Sequence, residues 1–472
     1  MRLSRLAVLP LAAALAVGGV AAAATGAPVV TNVLATLPTG SLTTTLVVDG
    51  AANVYTLNAT TRTISKVGSD GTLTAAWATL PLPLATSKIV STTDGTLYTA
   101  NAGNSTISRV MPDGTVNLTY ASLPGLSSPF GLVMADNGTL YTANAGTSSI
   151  SAIDSSGAVT PFATLASGSK PFDVVVSKAG DLYTLNQNGT VSKVTASGTV
   201  TAVFATLAPA VTPVNVMVSS TGHVFALESG INQIEEFDAT GTLVRAIALP
   251  GLAGRIAIDG HDNLFVTLRP TKSIGLVPPG GALVPSIATL TPGADYGPLA
   301  VTSTDTVYAV GLSNPIVSKI SLAASITSAP VNGNAAAGGA FSATVKATGY
   351  EPLTFSLTGA VPPGVSIDRA TGVISGPANT AGTYRFGVVA TNMFGSSSAQ
   401  EATLTVTAVT TPTPTAIPTP GSGSGSAAGG RGGSASGSLA STGAEVMLPG
   451  ALALVLTAAG VAGLVTERRR RA

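Results

Sequence analysis

No cysteine occurs in the 472 residues. Disulfide staples, thiol nucleophiles and Cys-ligated zinc are therefore excluded, and a chain of this length buries enough core to do without staples. Charge is scarce as well: Asp, Glu, Lys and Arg together make up 9%, against about 25% in ordinary soluble domains. A cytosolic helical enzyme would carry far more Glu and Lys. Only two histidines, His223 and His261, are available for acid–base or metal chemistry. Nor is there an EF-type calcium loop, an H-E-x-x-H zinc motif, a P-loop or a G-x-S-x-G elbow, and no cofactor is called for. The formal net charge is +1, but six of the 22 basic and two of the 21 acidic residues lie in the two terminal segments. The remaining 16 basic and 19 acidic residues give −3. No basic face is left to release counterions from a polynucleotide, so nucleic acid is not an expected partner.

What is present is Ala, Val, Leu, Thr and Ser with 54 glycines. Strand-forming residues interspersed with Gly and Asn turns predict an all-β protein. The ends differ from the middle. Arg2 and Arg5 precede an apolar run from Leu6 to Val20 and an Ala22-x-Ala24 site, the order a signal peptidase substrate needs, which makes 1–24 a signal peptide. At the other end Leu439-Ala440-Ser441-Thr442-Gly443 precedes an apolar stretch, 446–465, and four arginines, Arg468 to Arg471. Twenty residues of helix cross a bilayer, and the arginines hold the end in the cytoplasm. This tail, 439–472, resembles a sortase sorting signal of the LAxTG type seen in high-GC Gram-positive bacteria. The resemblance implies cleavage between Thr442 and Gly443 by a sortase, transient membrane insertion through 446–465, and linkage of Thr442 to peptidoglycan. A plain single-pass anchor is the other reading of the tail. Residues 409–438 are Pro/Thr-rich and then Gly/Ser-rich, a stalk that is first semi-rigid and then flexible. The expected location is the cell wall surface.

The middle repeats. An x-Leu/Val-Tyr/Phe-x motif recurs at Tyr55, Tyr98, Tyr141, Tyr183, Phe225, Phe265 and Tyr308, with spacings of 43, 43, 42, 42, 40 and 43. Within one copy, Gly131–Met134, Leu140–Thr142, Ile150–Ile153 and Val159–Leu165 are four short strands separated by Asn-Gly and Ser-Gly turns. Four strands per unit of about 40–45 residues is the period of a propeller blade. An Ala-Thr-Leu signature marks the fourth strand of six copies, and the seventh stops after its third strand at 317–322. The missing piece stands before the first copy, at Ala35-Thr36-Leu37. The N-terminal strand is thus predicted to complete the last blade of a seven-bladed ring and remove two open edges.

The run SPFGLVMADNGTLYTANAGTSSISAID resembles the NHL-repeat and virginiamycin B lyase-like group of propellers, over 29–322. Residues 325–408, with VPPGVSIDRATGVISGPANTAGTYRFGVVAT, resemble a bacterial immunoglobulin-like domain, a small β-sandwich used as a spacer or a sugar- or protein-binding module. The lyase resemblance implies a His base, an acidic partner and a magnesium site at the channel mouth. His223 and His261 instead fall in the first hairpin turn of their blades, opposite the loops between the second and third strands, so the activity is not carried over. Asp259-Gly260-His261-Asp262-Asn263 is rich in oxygen but short of a calcium ligand set, and reads as a turn. The recurrent polar feature is the residue three past each aromatic: Asn58, Asn101, Asn144, Asn186 and then Glu228. These are expected either to ring the channel mouth and hydrogen-bond an extracellular glycan or protein ligand, or to satisfy their own turn backbone. The expectation is a non-catalytic binding or adhesion protein, with a propeller lyase or hydrolase and a purely structural wall component as alternatives.

Overall fold

Each repeat folds as one four-stranded antiparallel blade, because short apolar strands joined by tight turns pair first with their sequence neighbours. The structure, a computed structural model, describes residues 27–410 apart from 81–85, 210–211, 292–294 and 313. The segments read as signal peptide, sorting signal and apolar tail, and most of that read as stalk, lie outside the described residues. Among those described there are only strands and turns, and no helix is long and apolar enough to cross a membrane.

Blades 1 to 7 begin with the strands Thr43–Val48, Thr86–Ser91, Pro129–Met134, Pro171–Val176, Pro213–Val218, Ala253–Ile258 and Tyr296–Val301. These first strands contact one another all the way round, and that of blade 7 contacts that of blade 1. They are therefore the innermost strands of a closed ring, lining its axis. The second strand of each blade is almost wholly buried, as in Val54–Asn58 and Leu182–Asn186. That explains why it lacks the apolar-polar alternation of a half-exposed strand.

The predicted closure is present. Strand Val29–Thr36 pairs antiparallel with Ile316–Ser321, matching Ala35 with Val317 and Thr36 with Ile316, and is the fourth strand of blade 7. The Ala-Thr-Leu signature has a physical cause. Its leucines, Leu37, Leu80, Leu123, Leu165, Leu207, Leu249 and Leu290, are all buried. In each the backbone N–H donates to the carbonyl that precedes the third strand, from Leu80 to Arg62 at 2.9 Å through Leu37 to Pro315 at 2.9 Å. Between blades, the turn glycine before the fourth strand sits on the preceding blade's outer strand in blades 1 to 5. At Gly157, with φ of 90°, an added Cβ would stand 2.2 Å from the Tyr120 carbonyl oxygen. Within blades an aromatic pair ties second strand to fourth: Tyr55 with Trp77 at 5.0 Å, Tyr98 with Tyr120 at 5.2 Å, Tyr183 with Phe204 at 5.2 Å.

Residues from 325 onward form the expected sandwich. One sheet orders Asn332–Ala336, Gln400–Thr407, Gly382–Asn392 and Thr354–Gly359, and the other Gly339–Thr344, Val373–Ala378 and Ser366–Ile367. Between them lie Val345, Phe355, Ile374, Val388 and Leu404. The strand Thr354–Gly359 starts only at Thr354, because upstream Tyr350 bonds back to the Leu322 carbonyl and packs against Phe394. Phe394 joins the core of blades 6 and 7 against Phe265, and the Asn392 side chain donates to the Leu322 carbonyl at 2.7 Å. The sandwich thus docks on the face of the ring where the third strand of blade 7 ends.

Closure makes a test. Leu37→Ala removes a buried side chain (2% exposed) from the strand that locks the ring, and should cost about 2–5 kcal/mol in urea unfolding. Val203→Ala, on an outer strand and 57% exposed, should stay within about 0.5 kcal/mol.

Candidate functional site: the axial mouth

In all seven blades the ladder between the first and second strands slips by one residue near the start of the first strand. Such a bulge takes one residue out of the ladder and re-aims its side chain. The extra residues are Thr44, Ser87, Phe130, Phe172 and Val214 in blades 1 to 5, and fall within Gly254-Arg255 and Gly297-Pro298 in blades 6 and 7. The bulges lie opposite the ends of the second strands, so they ring the axis on the face that carries the loops between second and third strands. Sandwich and bulge ring are on opposite faces.

The mouth has chemistry on it. Phe130 and Phe172 stack with centroids 5.7 Å apart and an interplanar angle of 31°, both partly exposed. One residue deeper, Lys88 Nζ reaches past blade 3 to Asp173 Oδ1 at 2.9 Å. Blade 3 has Gly131 at the matching position, where even a Cβ would stand 3.1 Å from the Asp173 carbonyl carbon. The glycine is what lets an ion pair span blades 2 and 4. Beside it, Asn215 exchanges two bonds with the backbone of Ile256, at 2.8 and 3.2 Å, and Arg255 donates to the Val214 carbonyl at 3.3 Å. On the rim Arg269 holds Asp295 through two parallel N–H bonds, and that pairing holds the Asp295 carboxyl below the usual carboxylate range.

The predicted polar rosette is placed differently. Asn58, Asn101, Asn144 and Asn186 end the second strands on this face, but all are fully buried. They do not line the mouth, nor do they cap their own turns. Each carboxamide Nδ2 spans two hydroxyls of the third strand: Thr63 and Ser65, Thr106 and Ser108, Ser149 and Ser151, Thr190 and Ser192, at 2.8–3.2 Å. The expectation placed a polar side chain at a strand end in solvent. The sheet instead encloses it, because third-strand hydroxyls offer it partners inside.

Blade 5 breaks this rule. Glu228 replaces the asparagine and Glu235 the serine, and both are buried. Glu235 accepts from Gln233 Nε2 at 3.0 Å and from the Ala208 amide at 3.3 Å, whereas neither Glu228 oxygen has a hydrogen-bond partner among the described residues. Burial first, and the neighbouring Glu235 second, push the Glu228 pKa from 4.5 to about 9, so the pair keeps a proton at neutral pH.

Both histidines lie on the opposite face, as the repeat register predicted. His223 Nδ1 is 2.8 Å from Glu236 Oε1, and Glu236 also accepts from Arg245 Nε at 2.6 Å. They border a cleft of about 280 Å³ with Phe225, Asp262 and Pro279. The mouth therefore has no imidazole. The histidine-and-magnesium centre implied by the lyase resemblance does not fit the residues there, and no step is derived through it.

A closed seven-bladed propeller with an axial mouth and a docked immunoglobulin-like sandwich is the class these features define. The Virginiamycin B lyase family model matches residues 31–317, well over half of the chain, and the chain belongs to that family. An Ig-domain family model matches 323–407. Among solved structures, virginiamycin B lyase from Staphylococcus aureus is 18% identical over 62% of this chain and 99% of its own, with a TM-score of 0.54. A catalytically inactive histidine-to-alanine form of that lyase with quinupristin is 19% identical over 61% and 98%, with a TM-score of 0.54. A streptogramin B lyase is 17% identical over 60% and 95%, with a TM-score of 0.53. At such identities the likeness shows the fold alone. No curated protein matches the chain.

The raised Glu228 pKa sets a sign for pH dependence. The unfolded chain loses this proton near 4.5 while the fold keeps it to about 9. Its stabilising contribution is complete below 4.5 and is lost as pH rises through 9. Glu228→Gln should flatten that decline, and Glu228→Asn with Glu235→Ser, which restores the pattern of the other blades, should flatten it further. Thermal unfolding of the three proteins between pH 5 and 9 checks this.

Proposed function

We propose that the chain is a non-catalytic surface protein of a Gram-positive bacterium, exported, linked to peptidoglycan through Thr442, and binding an extracellular glycan at the propeller mouth. The observation that carries the binding half is the bulge ring. It puts two stacked aromatic rings, Phe130 and Phe172, on the face that also carries Lys88, Arg255 and the Arg269–Asp295 pair. Aromatic faces next to fixed charges and amides suit a sugar ring, which has apolar C–H faces and a polar rim. The mouth lies on the face opposite the docked sandwich, so the sandwich, which precedes the stalk in the chain, leaves it uncovered. The location rests on the signal sequence and on the LASTG, apolar run and arginine order of the tail.

A purified full chain screened against a glycan array that includes cell-envelope polymers tests the binding half. A stacked aromatic contact is worth about 1 kcal/mol, so Phe130→Ala with Phe172→Ala should weaken a hit about tenfold or more without changing the thermal midpoint. A blank array would favour the purely structural reading. For the anchor, Thr442→Ala should move the chain from the wall fraction, where only muramidase releases it, to the fraction released by detergent. Detergent release of the unaltered chain would make the tail a plain membrane anchor.

Family membership and the His223–Glu236 pair in its cleft favour a second reading, a propeller lyase or hydrolase. Turnover of quinupristin that disappears in His223→Ala would establish it.

A further inference from the structure

The first hairpin turn of every blade ends with a residue at positive φ, one position before the second strand's lead-in. It is Ala52, Gly95, Gly138, Gly180, Gly222, Asp262 and Asp305 in blades 1 to 7. Glycine is the usual choice there, since a Cβ is strained in that conformation. In blade 2 a Cβ at this position would point at the turn of the preceding blade: one built on Gly95 stands 3.1 Å from Asp49 Oδ2. Blades 6 and 7 use the direction to deliver a carboxylate to their neighbour. Asp262 finds donors there, accepting from the Ser220 amide at 2.7 Å and from its hydroxyl.

Asp305 finds the opposite. The turn it reaches is Asp259-Gly260-His261-Asp262-Asn263, where Asp259 is buried and already accepts from the His261 and Asn263 amides at 2.9 and 2.8 Å. Asp305 is 4% exposed, and its Oδ1 has no hydrogen-bond partner among the described residues. It stands 3.6 Å from His261 Nδ1. Ligand atoms of Asp259, His261 and Asp305 all lie within 4.8 Å of one another. Asn263 adds a further oxygen: its Nδ2 donates to Asp259 Oδ2 at 2.9 Å, and its Oδ1, on a residue 2% exposed, has no partner among the described residues. Two buried carboxylates facing each other, one of them with an unused oxygen, repel unless a cation or a proton offsets the charge. Accordingly burial, and then Asp259, push the Asp305 pKa up.

We propose that Asp259, His261 and Asp305, with the Asn263 carbonyl oxygen, form a divalent metal site that bridges blades 6 and 7. One imidazole with carboxylates selects a borderline first-row ion, zinc or manganese, over calcium, which takes six to eight oxygens. The turn alone is too poor in ligands. The fourth donor comes from the next blade, 42 or more residues along the chain, which is why the pattern is not a linear motif. His261, with a side chain 60% exposed, leaves the site open to solvent for ion exchange. The site is on the face that carries the sandwich, away from the mouth, and is independent of the glycan reading.

The experiment uses the purified full chain, stripped with EDTA, titrated calorimetrically and melted with zinc, manganese or calcium. One equivalent of zinc or manganese should bind and raise the thermal midpoint. Asp305→Gly, which restores the glycine of blades 2 to 5 and so keeps the turn, should lose at least tenfold in affinity and the whole midpoint shift. His261→Ala should weaken zinc more than calcium. The proposal is overturned if no ion binds at millimolar concentration, if Asp305→Gly binds as well as the unaltered chain, or if calcium alone binds and ignores His261→Ala.

Discussion

Everything in the ring depends on one antiparallel pairing, between residues 29–36 and 316–321. Six blades are built from consecutive hairpins and need only their own sequence neighbours. The seventh joins the two ends of the propeller across nearly 290 residues, at the loop-closure cost that long separations carry. Without it the third strand of blade 7 would present an unpaired edge, and an open edge pairs with other chains. The closing strand carries the same Ala-Thr-Leu that seals the other six blades, and Leu37 sits in the core shared by blades 7 and 1. Closure therefore reuses a local solution at a non-local position. The Thr291 and Ser318 hydroxyls both donate to the Asn32 carbonyl in its irregular stretch, binding the strand to blades 6 and 7.

How legible this was in the sequence follows from periodicity. A motif repeated at 40 to 43 residues fixes blade number, strand order and which faces are buried, because each blade must present the same surface to its neighbour. The site was less legible for the same reason. A bulge needs a register, and register is set by pairing, not by any residue of Phe130 or Phe172 alone. The asparagines at the strand ends were visible as a pattern but misplaced, since nothing in a linear sequence says whether Asn101 faces water or Ser108. The Lys88–Asp173 pair skips a blade and depends on the side chain that Gly131 lacks. Contacts of that kind appear only once the ring is closed.

Repetition also sharpens what counts as a departure. Seven copies supply internal controls, so a substitution can be read against the residue that six sister blades find adequate. By that standard blades 1 to 4 are conventional and blades 5 to 7 are not. Glu228 and Glu235 stand where Asn and Ser stand, Asp262 and Asp305 where glycine stands, and Arg255 and Arg269 cluster at the mouth of the same sector. Glu228 and Asp305 bury oxygens that have no partner among the described residues, where sister blades use a paired amide or a glycine, and an unpaired buried charge is unfavourable by about 3–5 kcal/mol. Structure alone does not demand them.

The sandwich adds an asymmetry that the ring lacks. Among the described contacts it meets blades 6 and 7 through Phe394 against Phe265 and through Asn392 bonded to the Leu322 carbonyl. Phe394 lies in one core cluster with Ile274, Val307 and Ile320, so the sandwich is part of the packing of blades 6 and 7, not a bead on a linker. That packing sets the direction of the ring relative to the strand Gln400–Thr407. One face is committed to the junction and to the turn residues around it. The other is left with bulged side chains whose position recurs in every blade and whose chemistry varies round the ring, the arrangement by which one scaffold is given a particular surface.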